Sequence, residues 1–422
     1  MFKKYLTTFD SYVIYTSSVV GLGLIVLPAL AAKMVGSWSI LIWLMLGVLS
    51  YPMARTMGNL GARHPSSGGV THFIRIAFGK NAGDLTGILY LLALCIGPVA
   101  AALFFAEYVA IIFPLSRNQQ TCAAAIFLLA LVAVNLFDVR STMKFQRWIF
   151  MLFLGFVTLA IVLAVPHVRL DNFSFQPRSP RQLELAAFIC FYAFIGWEHA
   201  AFSSDELLDT WSLVKSIFYA VLTVTLLFSM TAFVLIGVLP AHALVNGNTV
   251  ISDLFMYSFG PLASKVSALA VLILFFSMML SWVRGGGRLV HSLAVEGILL
   301  DRLARVNPKT GSPENGLLLL AGVWMLALIT YLCFSLTVGD YVRLSNANYI
   351  ITYLMVFLAA IKLERRSPLM LSHALVSLGA ILCICFFSYQ DFWYPGIICA
   401  GFVVLRAVLG RRVGKVAPSS EG

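Results

Sequence analysis

Runs of about 20 apolar residues, the length that carries an α-helix across the hydrocarbon core of a bilayer, recur along most of this chain. Such segments cross a membrane as helices because lipid offers the backbone no hydrogen-bond partner. Charged residues make up only 11% of the sequence, whereas a soluble domain carries roughly 25%. We therefore predict an all-α polytopic membrane protein with twelve transmembrane helices. The predicted spans lie near 11–32, 37–57, 85–113, 121–138, 145–166, 183–205, 212–239, 261–292, 315–337, 341–363, 369–388 and 393–410.

The distribution of Lys and Arg predicts the orientation of the spans. Most of the 29 basic residues fall in loops that face the cytoplasm if the N-terminus is cytoplasmic, and the loop near 167–181 is the exception. We predict a multi-pass protein of the cytoplasmic (inner) membrane with both termini in the cytoplasm and with lipid around its spans. The net charge of +11 is then a topology signal, and no nucleic-acid partner is expected.

Two of the apolar runs contain glycines at mid-membrane depth. Gly21 and Gly23 precede Pro28 in the first run, and Gly196 lies within the sixth. A backbone that leaves the helix at this depth is tolerated only where it lines a protein cavity. Paired interruptions in two halves of a chain are a sequence pointer to a transporter binding site. We therefore predict that the first and sixth spans are broken helices.

The two interrupted spans cross the membrane in opposite directions, which indicates an inverted repeat of five spans plus two further helices. Within a single transmembrane domain, 1–422, we place repeat one at about 11–166 and repeat two at about 183–363. The peripheral helices lie at about 369–410. Two amphipathic segments outside the spans, 70–78 and 250–259, are compatible with short interfacial helices or gates and equally with ordered loops.

Three motifs in this order resemble those of the amino acid–polyamine–organocation (APC) superfamily of transporters. They are the glycine motif from Gly21 to Pro28, the stretch from Phe194 to Glu198 with the trailing acids Asp205-Glu206, and the segment from Arg288 to Pro313. The resemblance implies a LeuT-type fold, with a ten-helix 5+5 inverted-repeat core, broken helices 1 and 6, and two peripheral helices.

Some local details are most similar to the arginine/agmatine-type antiporters of that superfamily. The stretch from Phe191 to Glu198 resembles their sixth helix, and Trp282 precedes Gly297 at the spacing of their substrate-stacking tryptophan. The chain departs from the family in three places, one of which is Leu300-Asp301, where the family has a proline after Glu296-Gly297. No proline follows the sixth-span acids over 207–212, and three glycines, 285–287, occupy the inner part of span 8.

Broken helices would bind the backbone of an amino acid without charged side chains. Free N–H groups where the first span resumes carry the positive end of a half-helix dipole and suit a carboxylate. Carbonyls freed where the sixth span breaks suit an ammonium group, and aromatic rings can wall the pocket. The predicted substrate-binding residues are Gly21, Leu22, Gly23, Tyr192, Ile195, Gly196, Trp197 and Trp282.

Two acids are predicted to take part in gating or proton coupling. A carboxylate at bilayer depth costs about 2.5–3.5 kcal/mol, so Glu198 is a functional candidate, the alternative being a carboxyl that ties span 6 to a neighbour. Glu206, near the inner end, is interpreted as a gate or capping residue. His199 is not expected to act with Glu198, because adjacent residues of a helix do not face each other.

No cofactor or metal site is expected. Ser277 and Ser281 on span 8 are interpreted as hydroxyls that bond back to their own helix, although sodium-coupled relatives use such hydroxyls for the ion. Coupling to H⁺, coupling to Na⁺ and exchange all stay open.

These observations predict a secondary active transporter of an amino acid that works by alternating access. An exporter or antiporter of an amino acid, polyamine or related amine is the alternative, and a non-transporting substrate sensor is a remote one. No nucleophile triad or phosphate loop is evident, so no enzyme activity is expected. A homodimer is compatible with the sequence.

Overall fold

The computed structural model of the protein describes residues 4–20, 22–137, 139–239, 250–334, 336–387, 390 and 392–413. This part of the chain is almost entirely helical and contains no β-sheet. The helices are α1 Thr8–Val19, α2 Leu22–Val35, α3 Trp38–Arg63, α4 Val70–Phe78, α5 Lys80–Ile112, α6 Arg117–Asn135, α7 Val139–Ala164, α8 Pro180–Phe191, α9 Ser212–Val238, α10 Val250–Phe259, α11 Pro261–Val295, α12 Glu314–Cys333, α13 Val338–Leu363, α14 Pro368–Phe387 and α15 Trp393–Val413.

Within the described ranges, 9 helices are long and apolar enough to cross a membrane: α3, α5, α6, α7, α9, α11, α12, α13 and α14. This confirms the all-α polytopic class. Two other predicted spans, the first and the sixth, are divided. Their α-helices have only 12 to 14 residues, so none of them is long enough to cross a membrane by itself.

The first predicted span is divided where its glycines indicated. Helix α1 ends at Val19, where the N–H of Val20 still bonds to the carbonyl of Thr16 at 2.8 Å, and α2 begins at Leu22. Gly21 lies outside the described residues. Pro28 is accommodated inside α2.

The sixth predicted span is helical only in its first half. Helix α8 begins with a capping box between Ser179 and Gln182, and a short 3₁₀ turn follows it over 192–194. Ile195 is then extended, with ψ of 134°. The chain does not resume an α-helix before it reaches the 3₁₀ helix Ala201–Glu206. This confirms the prediction of a discontinuity near Gly196.

Gly196 allows the two broken spans to meet. Its φ of +135° is a conformation that residues with a side chain rarely adopt. A Cβ atom at this position would lie 2.8 Å from the carbonyl oxygen of Ser18, in the last turn of α1. The first discontinuity therefore packs directly against the second, and α5, α11 and α13 surround them.

The two short amphipathic segments are helices with the predicted bounds. Helix α4 follows Gly69, ends at Gly79 and packs against α5 and α13. Helix α10 packs against α11.

Candidate functional site

A small cavity of about 30 Å³ lies where the two discontinuities meet. A water molecule needs roughly 10–15 Å³ measured in this way, so the space is suited to about two waters and is too small for an amino acid. Its walls come from the end of α1 and start of α2, the sixth-span break, α5 and α11. The lining residues are Ser18, Val19, Gly23, Gly97, Pro98, Ala101, Tyr192, Ala193, Ile195, Met278, Met279 and Trp282.

Four of the predicted substrate-binding residues, Gly23, Tyr192, Ile195 and Trp282, are thus brought to one cavity. Two others, Gly196 and Trp197, do not line it. Trp197 is fully buried behind the cavity, with its ring centroid 6.0 Å from that of Tyr15. Of the remaining two, Leu22 is the first residue of α2, and Gly21 is not among the described residues.

Trp282 connects α11 to the end of the first half-helix. Its indole N–H donates to the carbonyl of Ser18 at 3.0 Å. Carbonyls at a helix C-terminus have no partner within the helix and carry the negative end of the dipole, so a donor here is favourable. The other face of the indole packs on His199, with ring centroids 4.2 Å apart. Trp282 therefore separates the cavity from a polar cluster behind it.

Glu198 is the centre of that polar cluster. Its side chain is fully buried, and it accepts hydrogen bonds from the hydroxyl of Tyr90 at 2.7 Å, from the hydroxyl of Tyr353, and from the N–H of Gly196 at 3.0 Å. The donors come from α5, α13 and the break itself. A buried carboxylate is tolerated when its oxygens are satisfied in this way. Glu198 thus ties the sixth-span break to two neighbouring helices.

The expectation that His199 cannot face Glu198 is wrong. It assumed helical geometry, whereas the turn that begins at Gly196 places both side chains on one side. The Nε2 atom of His199 lies 3.9 Å from Oε1 of Glu198 and 3.5 Å from the hydroxyl oxygen of Tyr90.

Glu206 lies at the end of the sixth-span segment, in an ion pair with Arg288 of α11, and both side chains are almost completely buried. The hydroxyl of Tyr5 donates to its carboxylate at 2.9 Å. Its backbone carbonyl accepts from the N–H groups of Tyr5 and Leu6 at 2.9 and 3.1 Å, and Leu208 bonds back to Leu6. The segment before α1 is therefore held against the end of the sixth span.

A second ion pair holds the same end of the molecule. Asp10, in the first turn of α1, pairs with Arg147 of α7 and also forms a capping box with Thr7. The side chain of Asp10 is only 3% exposed. The Asp10–Arg147 pair thus links α1 to α7, and the Glu206–Arg288 pair links the sixth-span segment to α11.

The amide of Gln146 on α7 is a polar feature that the sequence interpretation missed. It is fully buried and donates to the hydroxyls of Ser17 and Ser281, which joins α1, α7 and α11. The hydroxyl of Ser277 donates to the backbone carbonyl oxygen of Gln146 at 3.4 Å. The interpretation of the two span-8 serines as bonding only within their own helix is therefore wrong. Gln146 lies beside Arg147 near the predicted end of span 5, so its burial had no signal in the sequence.

Comparison with known proteins identifies the family of this chain. Residues 6–407 match the family described as Amino acid permease. The chain belongs to this family. The match confirms both the resemblance to the APC superfamily and the predicted function class, an amino acid transporter.

Relatives of this permease differ in the amino acids for which they are named. It is 25% identical to the uncharacterized amino acid permease YecA of Bacillus subtilis (strain 168), over 97% of both chains. It is 27% identical to cationic amino acid transporter 4 of Mus musculus, over 77% of this chain and 55% of that protein. It is 25% identical to the L-methionine/branched-chain amino acid exporter YjeH of Escherichia coli (strain K12), over 87% of both.

The permease also has a larger apolar cavity, of about 610 Å³, between α3, α8 and α14. Its walls include Leu41, Met45 and Val376, which are about half exposed on the outer surface of the helices. None of the predicted site residues lines it. We assign the candidate site to the small cavity because backbone polar groups and the discontinuities converge there.

Proposed function

We propose that this permease is a secondary active transporter of neutral, apolar amino acids that works by alternating access in the cytoplasmic membrane, with both termini in the cytoplasm. In this proposal twelve segments cross the membrane: the nine continuous spans, the two divided spans and α15. The first ten form the LeuT-type 5+5 inverted repeat, and α14 and α15 are peripheral. The divided first and sixth spans, which run in opposite predicted directions and meet at Gly196, support the arrangement.

The ends of the half-helices would bind the groups common to all amino acids. Gly23, in the first turn of α2, lines the cavity, so the N-terminal N–H groups of this helix are available for the carboxylate. Tyr192 and Ile195, which follow the C-terminus of α8, also line it. The negative end of that helix favours an ammonium group there.

The remaining walls of the cavity carry the argument for substrate class. They are made of Pro98 and Ala101 on α5, Met278 and Met279 on α11, and the ring of Trp282. None of the described lining residues has a charged side chain. A lysine or arginine side chain would lose its hydration here without gaining a partner, which is costly. Methionine walls adapt to apolar substrates of different shape.

The size of the cavity implies that the permease must open to bind substrate. At about 30 Å³ the site is too small for an amino acid, and Glu206 is held in a buried ion pair with Arg288. We assign Glu206 to the gate at the predicted cytoplasmic end. Glu198 would link the sixth-span break to α5 and α13 during opening. The same cycle serves uptake or export, since gradients set the direction.

Counterflow in proteoliposomes tests the proposal. Vesicles are loaded with unlabelled leucine, methionine, phenylalanine, lysine, arginine or agmatine, and entry of the labelled compound is followed. We expect saturable exchange of the apolar amino acids, with the cationic compounds at background. The matched variants are Ala101→Asp, which places a charge in the cavity, and Glu184→Gln at the rim of the larger cavity. Exchange of arginine or agmatine without leucine, or exchange of leucine that is unaffected by Ala101→Asp, would overturn the assignment.

A further inference from the structure

The geometry behind Trp282 points to a proton-binding site formed by His199 together with Glu198 and Tyr90. We propose that one proton is bound there per transport cycle, so that transport is coupled to H⁺. This inference rests on the proposed function and names the ion that drives it.

The proposal gives each member of the cluster a protonation state that its hydrogen bonds accommodate. Glu198 is ionised and accepts from the hydroxyls of Tyr90 and Tyr353 and from the N–H of Gly196. Tyr90 uses its only hydroxyl hydrogen on Glu198, so its oxygen can only accept from Nε2 of His199. Nε2 therefore carries the hydrogen, and Nδ1 is the bare nitrogen of a neutral imidazole.

In this network Nδ1 of His199 carries no hydrogen and has no hydrogen-bond partner in the described part of the chain, so it is the atom that can accept a proton. The side chain is only 1% exposed, and Nδ1 has no hydrogen-bond partner among the described residues. It faces the backbone of α11 at Gly285, where a Cβ atom would lie only 2.6 Å away. The first glycine of the 285–287 run therefore provides the space for this ring. A buried polar atom without a partner is uncommon in a folded protein and calls for an explanation.

A second proton on His199 would be stabilised from two sides. The imidazolium would lie 3.9 Å from the carboxylate of Glu198. It would also face the ring of Trp282, with centroids 4.2 Å apart, within the distance at which an aromatic face attracts a cation. The proton would arrive from water on one side of the membrane, bind at Nδ1, and leave on the other side when the cluster opens there.

Trp282 links this site to the substrate. One part of the indole lines the cavity, its N–H holds the Ser18 carbonyl, and its ring covers His199. A substrate that displaces Trp282 would expose the imidazole or seal it further. Binding of substrate and proton would then be coupled energetically.

The surroundings leave few other groups that could produce the same pH dependence. Besides Tyr90 on α5, the titratable side chains that face the pair are Tyr349 and Tyr353 on α13. On α11 the contacts are Trp282 and Gly285, which do not titrate, while Arg284 interacts with the Glu206 group.

The decisive experiment compares His199→Gln with the wild type in proteoliposomes, with leucine and methionine as probes. Glutamine can donate a hydrogen bond to Tyr90 but cannot bind a proton. Counterflow reports binding and alternating access without a net driving force, and an imposed pH gradient in either direction reports coupling. With one proton per substrate, about one pH unit supports roughly tenfold accumulation. We expect the wild type to reach this, and His199→Gln to keep counterflow but to show no accumulation.

Two further variants distinguish the loss of the His199–Glu198 pair from general damage to the protein. His373→Gln changes a half-buried histidine on the peripheral helix α14, which faces Tyr51, and should behave as the wild type. If His199→Gln does not fold, as judged by thermal unfolding in detergent, Tyr90→Phe removes the connecting hydroxyl and should alter the pH profile of uptake.

The inference is overturned if His199→Gln still accumulates substrate with the pH gradient. It is also overturned if Tyr90→Phe, used in its place, leaves the pH profile unchanged, or if the wild type accumulates substrate only with a Na⁺ gradient. Absence of counterflow of any amino acid by the folded wild type would instead contradict the proposed function.

Discussion

Replacement of Glu198 should separate its structural contribution from its part in coupling. Three donors from three parts of the chain converge on this buried carboxylate: the hydroxyls of Tyr90 and Tyr353 and the N–H of Gly196. Glu198→Ala removes the acceptor and leaves all three donors buried. Glu198→Gln keeps an oxygen where Oε2 accepts from Gly196 and Tyr353, and it places the amide nitrogen where it can donate to the oxygen of Tyr90.

Glu198→Ala should be the less stable of the two variants. The N–H of Gly196 keeps the hydroxyl oxygen of Tyr353 as an acceptor at 3.1 Å. A buried donor that loses its acceptor costs about 1–3 kcal/mol, so the hydroxyls of Tyr90 and Tyr353 together cost about 2–6 kcal/mol. Relief from burying a charge offsets part of this. In Glu198→Gln each bond survives without charge assistance, at a loss of about 1 kcal/mol per bond. Since folded domains are stable by about 5–15 kcal/mol, Glu198→Ala should lose a measurable part of that stability, whereas Glu198→Gln should stay closer to the wild type.

Thermal unfolding in detergent, with size-exclusion profiles of the same samples, measures this difference. Glu184→Ala, which changes a partly exposed acid at the rim of the larger cavity, is the control. We expect the wild type and the control to have the highest unfolding temperatures, Glu198→Gln a lower one, and Glu198→Ala the lowest. If Glu198→Ala melts together with the control, the carboxylate does not hold the sixth-span break, and the structural reasoning fails.

Three further substitutions test other parts of the site. Glu206→Ala leaves Arg288 buried without its partner and should lower stability by about 3–5 kcal/mol, whereas the double variant Glu206→Ala/Arg288→Met should recover most of the loss in thermal unfolding. Ala101→Leu narrows the cavity and should weaken leucine exchange by about tenfold or more while alanine exchange persists, since overpacking costs about 1–3 kcal/mol; equal losses for both would argue against this wall. Gly23→Ala brings a Cβ atom to 2.3 Å from that of Ala193, so counterflow should fall sharply even where the protein is folded.

The discontinuous spans could be predicted from sequence because they depend on local chemistry. Glycines at membrane depth identified the region between α1 and α2 and the turn at Gly196. Amphipathic periodicity gave the bounds of Val70–Phe78 and Val250–Phe259 but left a helix and an ordered loop equally open for each. Each of these features is encoded within a few consecutive residues, so no knowledge of distant contacts was needed.

The partners of the polar residues could not be predicted in the same way. Glu198 was a candidate because it is an acid at bilayer depth, but its donors Tyr90 and Tyr353 lie more than one hundred residues away in either direction. Gln146 carried no signal because burial, and not residue type, makes its amide significant. Helix periodicity even argued against the contact of His199 with Glu198, because that rule fails once the backbone leaves the helix.

Composition and the spacing of apolar runs are sufficient to require a helical membrane protein, since hydrocarbon penalises every unpaired backbone group regardless of how the helices pack. The positions of the glycines also predict where two of these helices break. The residues that surround the breaks are decided by packing. Gly23, Ala101, Met279 and Trp282 line one cavity only because four helices and a turn meet there. The same packing buries Nδ1 of His199 without a hydrogen-bond partner in the part of the chain that the structure describes. The sequence could not show this, because hydrogen bonds between distant residues form only after the helices have packed together.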